Sequence, residues 1–131
     1  MADLVLDTHA CVYALSAPAK LGRDARRRLK QAEDGQGAVW IPAAVVAEIV
    51  LLRELNRIGI GLPELKAAVA QASPLRFLPL DLRQLDEFAA LVALRDPFDR
   101  LIVSACRAMH AQLVSKDDGL QATGLVQTVW N

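Results

Sequence analysis

Hydrophobic residues occur along the chain in short runs that alternate with longer stretches of helical spacing. The short runs predict buried strands at residues 4–6, 38–41, 75–80, 112–115 and 125–130. Helices are predicted between them, at residues 8–16, 20–34, 42–57, 63–73, 81–94 and 96–111. This alternation is typical of an α/β protein, so we expect a three-layer α/β/α sandwich around a mostly parallel sheet. No repeat or linker divides the chain, which predicts a single domain over residues 1–131.

Composition and charge change this picture little. Hydrophobic residues make up 53% of the chain and aromatic residues only 5%, so aliphatic side chains must supply the core. Fifteen basic residues balance fifteen acidic ones, and the net charge therefore does not by itself indicate a nucleic-acid partner. Cys11 and Cys106 lie far apart in apolar stretches, which favours buried, reduced thiols over a disulfide or a zinc site.

The sequence also bears on the cellular location. No apolar run approaches the roughly 20 residues that a membrane helix requires. Asp3 interrupts the apolar start of the chain, where a signal peptide would need an unbroken apolar segment. We therefore expect a cytoplasmic protein without a membrane partner.

Glu48 is the most informative acidic residue. The stretch from Val39 to Leu52 contains no other ionisable group. An ionised carboxylate in such surroundings is costly unless it is paired, protonated or bound to a metal. The alternative is that Glu48 simply points outward from an exposed edge of its helix.

Asp7 and Asp117 each follow a predicted strand. In parallel sheets, ligands collect at the carboxyl ends of the strands, so both positions favour a functional site. Asp7 is equally explained as the N-cap of the following helix. Asp117 is explained without function by a turn at Asp117-Asp118-Gly119.

Asp96 and Asp99 lie at the start of a predicted helix, in the segment Asp96-Pro97-Phe98-Asp99-Arg100. Asp96 suits the N-cap, Pro97 the first helical position, and Asp99 the first turn, where the helix dipole favours an acid. The same geometry brings two carboxylates to one helix entrance, which suits a cation.

Together these acids predict a divalent metal site. Carboxylate oxygens are the ligands that Mg²⁺ or Mn²⁺ prefers, with waters completing the octahedron. Crowded carboxylates raise one another's pKa until a cation neutralises them. A metal held in this way can activate water for attack on a phosphodiester. The sequence has no glycine-rich phosphate loop and no HExxH motif that would suggest other chemistry.

The second helix is the most basic part of the chain. Arg23, Arg27 and Lys30 fall on one face of it. This face is either simply solvated or a contact for the RNA backbone or an acidic partner, and the sequence leaves both open. Arg100, next to Asp99, is a further candidate for substrate contact.

Four segments of the chain resemble the PIN domain family, and within it the VapC-type toxins of virulence-associated type II toxin–antitoxin systems. They are Leu6-Asp7-Thr8-His9, Ala47-Glu48-Ile49, Asp96-Pro97-Phe98-Asp99-Arg100-Leu101-Ile102 and Leu113-Val114-Ser115-Lys116-Asp117. The third segment is the most specific. The resemblance spans nearly the whole chain.

The resemblance implies a PIN-like sandwich and a metal-dependent endoribonuclease that serves as a toxin. By position, Asp7, Glu48, Asp99 and Asp117 match the acidic quartet that binds Mg²⁺ or Mn²⁺, with Asp96 as an additional acid. Thr8 and Ser115 lie next to these ligands and are expected to support them. The implied partners are RNA, a small antitoxin that covers the site, and a second copy in a homodimer. Val45 departs from the Ser or Thr often found three residues before the glutamate, which predicts the loss of one hydrogen bond.

Three alternatives remain open from the sequence. A haloacid-dehalogenase-like phosphatase would also use Asp and Mg²⁺, but its Asp-x-Asp motif would need an acid where His9 stands. A receiver domain would need a phosphorylatable Asp on a middle strand, and Asp81 is better explained as a helix cap. A catalytically inactive PIN-fold binding module is disfavoured because the acids are complete.

Overall fold

A computed structural model describes residues 2–71 and 73–131, and it contains one five-stranded sheet with helices packed around it. The strands are β1 (Leu4–Leu6), β2 (Val39–Pro42), β3 (Leu75–Leu78), β4 (Gln112–Val114) and β5 (Thr128–Val129). Their order in the sheet is β3-β2-β1-β4-β5, and every neighbouring pair is parallel. The predicted α/β class, with its central parallel sheet, is confirmed.

In the described part of the chain, seven helices connect and flank the strands. They are α1 (Thr8–Ser16), α2 (Arg23–Glu33), α3 (Ala43–Glu54), α4 (Leu62–Ala70), α5 (Leu82–Ala90), α6 (Pro97–Ala108) and α7 (Asp118–Thr123). A short 3₁₀ turn, Pro18–Lys20, separates α1 from α2. Among the described residues, no helix has both the length and the apolar character needed to span a bilayer.

The core is aliphatic, as the composition predicts. All three residues of β1 are buried, and Leu113 and Val114 of the neighbouring β4 are fully buried. Ile49 of α3 and Ile102 of α6 pack into the same cluster. Each such side chain stabilises the fold by about 1.5–3 kcal/mol relative to an exposed one. Cys11 and Cys106 are buried free thiols, as expected.

Several predicted boundaries differ from the structure, and three of the differences are informative. Pro42 is the last residue of β2 and the N-cap of α3, whereas the sequence placed it in the first helical turn. The second helix begins at Arg23, three residues later than predicted, because Pro18–Lys20 forms its own 3₁₀ turn. Residues 118–123 form α7, a short helix where the Asp-Asp-Gly sequence predicted only a turn.

Candidate active site

The carboxyl ends of β1 and β4 form the floor of the candidate site. Leu6 of β1 pairs with Val114 of β4, so the residues that follow them, Asp7 and Ser115, leave the sheet side by side. The Asp7 N–H continues the ladder by donating to the Val114 carbonyl at 3.2 Å. The fold therefore brings two predicted site residues together by strand register alone.

Asp7 both caps a helix and faces the site. Its Oδ1 accepts a hydrogen bond from the Ala10 N–H at 2.8 Å, at the start of α1. Burial raises the pKa of the Asp7 carboxyl, although hydrogen bonds from the Ser115 hydroxyl and the Ala10 N–H oppose the rise. The capping and ligand interpretations of Asp7 are therefore compatible.

Glu48 is partly buried on α3 and does not point freely into solvent. Its Oε1 accepts a hydrogen bond from the hydroxyl of Thr8, which is itself buried. Val45 is fully buried in the core. Thus Glu48 has a hydroxyl partner in Thr8, although position 45 is occupied by a hydrophobic residue.

Asp99 lies in the first turn of α6 and has the most perturbed carboxyl of the site. Burial, followed by repulsion from other carboxylates, raises its pKa to about 6. The contributing acids are Asp96, Asp117, Glu48 and Asp7, in decreasing order of effect. All the predicted metal ligands therefore lie within electrostatic reach of Asp99.

Asp96 and Asp117 are exposed and cap helices. Asp96 Oδ1 accepts from the Asp99 N–H at 3.0 Å and starts α6. Asp117 Oδ1 accepts from the Leu120 N–H at 3.1 Å and starts α7. The Asp117 N–H in turn donates to the Ser115 hydroxyl at 3.1 Å, which fixes the chain between β4 and α7.

These elements enclose a cleft of about 320 Å³, referred to below as the acidic cleft. Its lining contains the four predicted acids together with Thr8, His9, Ile102 and Lys116. Asp96 is not part of the lining and acts on the cleft through its charge on Asp99.

The acidic cleft suits a hydrated divalent ion better than a closed protein cage. In the described part of the chain, no three His, Cys, Asp or Glu side chains are close enough to form a ready-made ligand set. Mg²⁺ usually keeps several waters and takes only one or two protein carboxylates. Burial, with a smaller contribution from neighbouring carboxylates, raises the pKa of both Asp7 and Asp99.

The predicted basic contacts lie outside the acidic cleft. Arg23, Arg27 and Lys30 are exposed on α2, where Arg27 pairs with Asp24 at 3.4 Å and Lys30 with Asp34 at 3.3 Å. Arg100 packs on α5, with its guanidinium 4.2 Å from the centroid of the Phe88 ring. Its Nε donates to the Phe88 carbonyl at 2.9 Å, so Arg100 links α6 to α5.

His9 and Lys116 are the polar lining residues that the sequence did not assign to the site. His9 is exposed in the first turn of α1. Lys116 precedes Asp117 and places a positive charge in the lining of the cleft. The available signal was their adjacency to Asp7 and Asp117, but adjacency does not tell which way a side chain points.

The fold and the acidic cleft define a small α/β protein with carboxylates gathered at the carboxyl ends of a parallel sheet. The sequence matches the PIN domain family over residues 4–125, and the chain belongs to that family. Membership supports nuclease activity and the use of divalent metal ions in general terms. None of the curated proteins matches the sequence.

Solved structures with the same fold are distant in sequence. A chain of VapBC2 from Rickettsia felis, bound to a promoter DNA fragment, aligns with a TM-score of 0.71 and 18% identity over 98% of both chains. DNA-bound VapBC from Salmonella typhimurium gives a TM-score of 0.69 and 14% identity, over 98% of this chain and 97% of the other. FitAcB from Neisseria gonorrhoeae gives 0.63 and 18%, over 95% of both chains. At these identities the similarity establishes the fold.

Proposed function

We propose that the protein is a metal-dependent endoribonuclease that acts as the toxin of a toxin–antitoxin pair. The observation that carries the proposal is the acidic cleft, where Asp7, Glu48, Asp99 and Asp117 line one cavity at the carboxyl end of the sheet. Membership of the PIN family supports the nuclease chemistry. RNA as the substrate is our inference.

The four lining carboxylates would hold hydrated Mg²⁺ or Mn²⁺, one or two of them directly and the others through its waters, with Asp96 adding negative charge beside them. When bound, the ion supplies a Lewis acid that activates water and neutralises charge developing on the phosphodiester. Thr8 orients Glu48 through its hydroxyl, and Ser115 fixes the backbone at Asp117. Such supporting hydrogen bonds hold ligands in position before the metal arrives.

The toxin role rests on similarity of fold. The neighbours from Rickettsia, Salmonella and Neisseria come from complexes named VapBC and FitAB, and this chain covers nearly their whole length. We infer an antitoxin partner and a homodimer by analogy with them. Several large apolar side chains are exposed and could serve such interfaces, namely Leu51, Leu55, Leu80, Leu82, Leu85 and Val92.

The test is cleavage of total RNA by partner-free protein with Mg²⁺, with Mn²⁺ and with EDTA. We expect discrete products that require the metal and fall at least about 100-fold in Asp99→Asn. Asp86→Asn is the matched control, because it removes the same charge from an exposed site on α5, outside the cleft. Expression in growing bacteria should arrest growth, and Asp99→Asn should relieve the arrest.

Two outcomes would contradict the proposal. Folded protein that binds Mn²⁺ but cleaves no RNA would favour the binding module. Cleavage that persists in Asp99→Asn would indicate a contaminant or a different set of catalytic acids.

A further inference from the structure

Beside the acidic cleft lies a group of side chains that the proposed metal chemistry does not use. Tyr13, partly buried on α1, is flanked by two exposed lysines. Lys116 Nζ lies 5.4 Å and Lys20 Nζ 5.6 Å from the centroid of the Tyr13 ring. Lys116 also donates a hydrogen bond to the Tyr13 hydroxyl at 3.5 Å. Both ammonium groups are within the range of cation–π attraction, so one ring holds two positive charges beside the acids.

Tyr13 is also the middle ring of a short aromatic row. Its centroid lies 6.3 Å from that of His9 and 6.4 Å from that of Trp130, with the rings tilted by 55° and 52°. His9 lines the acidic cleft. The row therefore leads from the cleft to the end of the chain near β5.

Lys116 joins the two regions. It lines the acidic cleft and also a smaller polar hollow of about 130 Å³ that contains Trp130 and Asn131. Trp130 is anchored there, because its carbonyl accepts from the Ala25 N–H at 3.0 Å. It also packs so closely on Gly22 that a Cβ at that position would lie 2.2 Å from the Trp130 carbonyl oxygen. Lys116 thus lies between the carboxylates of the acidic cleft and the hollow that contains Trp130.

We propose that His9, Tyr13, Lys20, Lys116 and Trp130 form a subsite for single-stranded RNA next to the scissile phosphate, the flanking subsite. The lysines contact backbone phosphates, and the rings stack on bases. The inference rests on the proposed function, because it describes how the same cleft takes its substrate. Its residues are different from Arg23, Arg27, Lys30 and Arg100, the basic contacts that the sequence predicted.

The combination of groups favours RNA over an acidic peptide. Cations interleaved with aromatic faces are the means by which proteins bind single strands, since each nucleotide offers both a phosphate and a π face. An acidic peptide would use the lysines and leave the row of rings without a partner. The lysine stems are long and flexible, so their ammonium groups can move to phosphates and free the Tyr13 ring for a base.

Binding can be separated from cleavage by working in the Asp99→Asn background with EDTA. The probe is a fluorescent, unstructured RNA of about ten nucleotides, followed by anisotropy. We expect Lys20→Gln and Lys116→Gln each to weaken binding about tenfold. Each should also reduce the slope of log affinity against log salt by about 0.7, the contribution of one phosphate on a single strand. Lys66→Gln, an exposed lysine beside a different groove, is the matched control and should change neither value.

The ring is tested with two substitutions at Tyr13. Tyr13→Phe keeps the stacking face and should bind within about twofold of the parent, while Tyr13→Leu should lose about tenfold. Thermal melting checks that the partly buried position tolerates leucine. Should Tyr13→Leu not fold, the exposed lysine variants still decide the proposal.

The outcomes distinguish this proposal from the ribonuclease proposal. If the protein cleaves RNA but the lysine variants bind RNA as tightly as the parent does, the flanking subsite is overturned and the ribonuclease proposal stands. Lysine-dependent RNA binding by a protein that never cleaves would support the subsite and overturn the proposed activity. Lysine-dependent binding of polyglutamate without RNA binding would assign this surface to an acidic protein and overturn the inference.

Discussion

Asp7, Asp96 and Asp117 each accept a backbone hydrogen bond at the first turn of a helix, respectively α1, α6 and α7. The N-terminus of a helix carries a partial positive charge, which favours an ionised carboxylate beside it. Capping therefore offsets part of the repulsion among the acids of the cleft. Glu48 is the exception, since it lies in the middle of α3 and depends on a side chain, Thr8.

This dependence predicts the effect of removing the Thr8 hydroxyl. Thr8→Val keeps the shape of a buried side chain but leaves Glu48 without its donor. Losing a hydrogen bond that orients a metal ligand typically lowers metal affinity by about 10- to 100-fold. We expect a loss of that size for Mn²⁺, measured by calorimetric titration.

Thr8→Ser is the control, because serine retains the hydroxyl while losing a methyl group. It should bind Mn²⁺ nearly as tightly as the parent does, even if it is slightly less stable. Equal loss of affinity in both variants would mean that packing at position 8, and not the bond to Glu48, sets the geometry.

At the scale of elements, α6 shows how a helix start and the proposed metal site would share residues. Asp96 caps the helix and its charge also raises the pKa of Asp99. The sequence predicted a helix cap in this segment and also a pair of carboxylates suited to a cation, and the cap is present. The two effects of Asp96 can be separated, because asparagine caps a helix as well as aspartate but carries no charge.

We expect Asp96→Ala to lower the free energy of unfolding by about 1 kcal/mol, and Asp96→Asn to leave it nearly unchanged. Both variants should weaken Mn²⁺ binding to a similar degree, since both remove the same charge. Urea unfolding and metal titration measure the two effects independently. Destabilisation of Asp96→Asn equal to that of Asp96→Ala would show that the charge, rather than the cap, stabilises α6.

Strong local patterns made most elements predictable. Apolar runs such as Leu4–Leu6 identified the strands because a parallel strand is buried on both faces. Helix α7 was missed because its six residues carry too little periodicity, and Asp-Asp-Gly is a common turn sequence. Pro42 was misplaced because its fixed φ suits both the end of a strand and the start of a helix.

The site was predictable only in part, for a related reason. Glu48 was identified because an acid in a long apolar stretch needs a special explanation. Lys116 and Tyr13 were not, because 103 positions separate them along the chain and only the folded chain brings them together. Arg100 looked available for substrate, yet its guanidinium packs on Phe88.

At the scale of the whole molecule, a net charge of zero conceals local separation of charge. Acids are concentrated in the cleft and basic residues on α2. Lys116 also lines the cleft, and Lys20 lies with it beside the Tyr13 ring. The balanced composition therefore gave no signal of a nucleic-acid partner. It also implies that the metal-free protein holds uncompensated negative charge in one place.

That charge should make stability depend on pH. The pKa of Asp99 is about 6 in the folded protein against 3.8 for an ordinary Asp, so the folded state binds the proton more tightly than the unfolded state does. The stability associated with this proton is fully present below the unfolded value and is lost as the pH rises through about 6. Without metal, Asp99→Asn should therefore gain stability relative to the parent between about pH 4 and pH 7. The gain should be about 1 kcal/mol once solvent screening of this half-exposed group is allowed for.

A bound divalent cation should reverse this effect of pH on stability, because it favours the ionised form of the carboxylates, which is disfavoured without metal. At about pH 7, saturating Mn²⁺ should raise the melting temperature of the parent and raise that of Asp99→Asn much less. A concentration of about 100 times Kd corresponds to roughly 2.7 kcal/mol of stabilisation for a single site. Differential scanning calorimetry of both proteins, with Mn²⁺ and with EDTA at each pH, measures both effects. If the stability of the parent protein changes with neither pH nor Mn²⁺, the carboxylates do not interact with one another. The proposal that the cleft binds a metal would then lose its electrostatic basis.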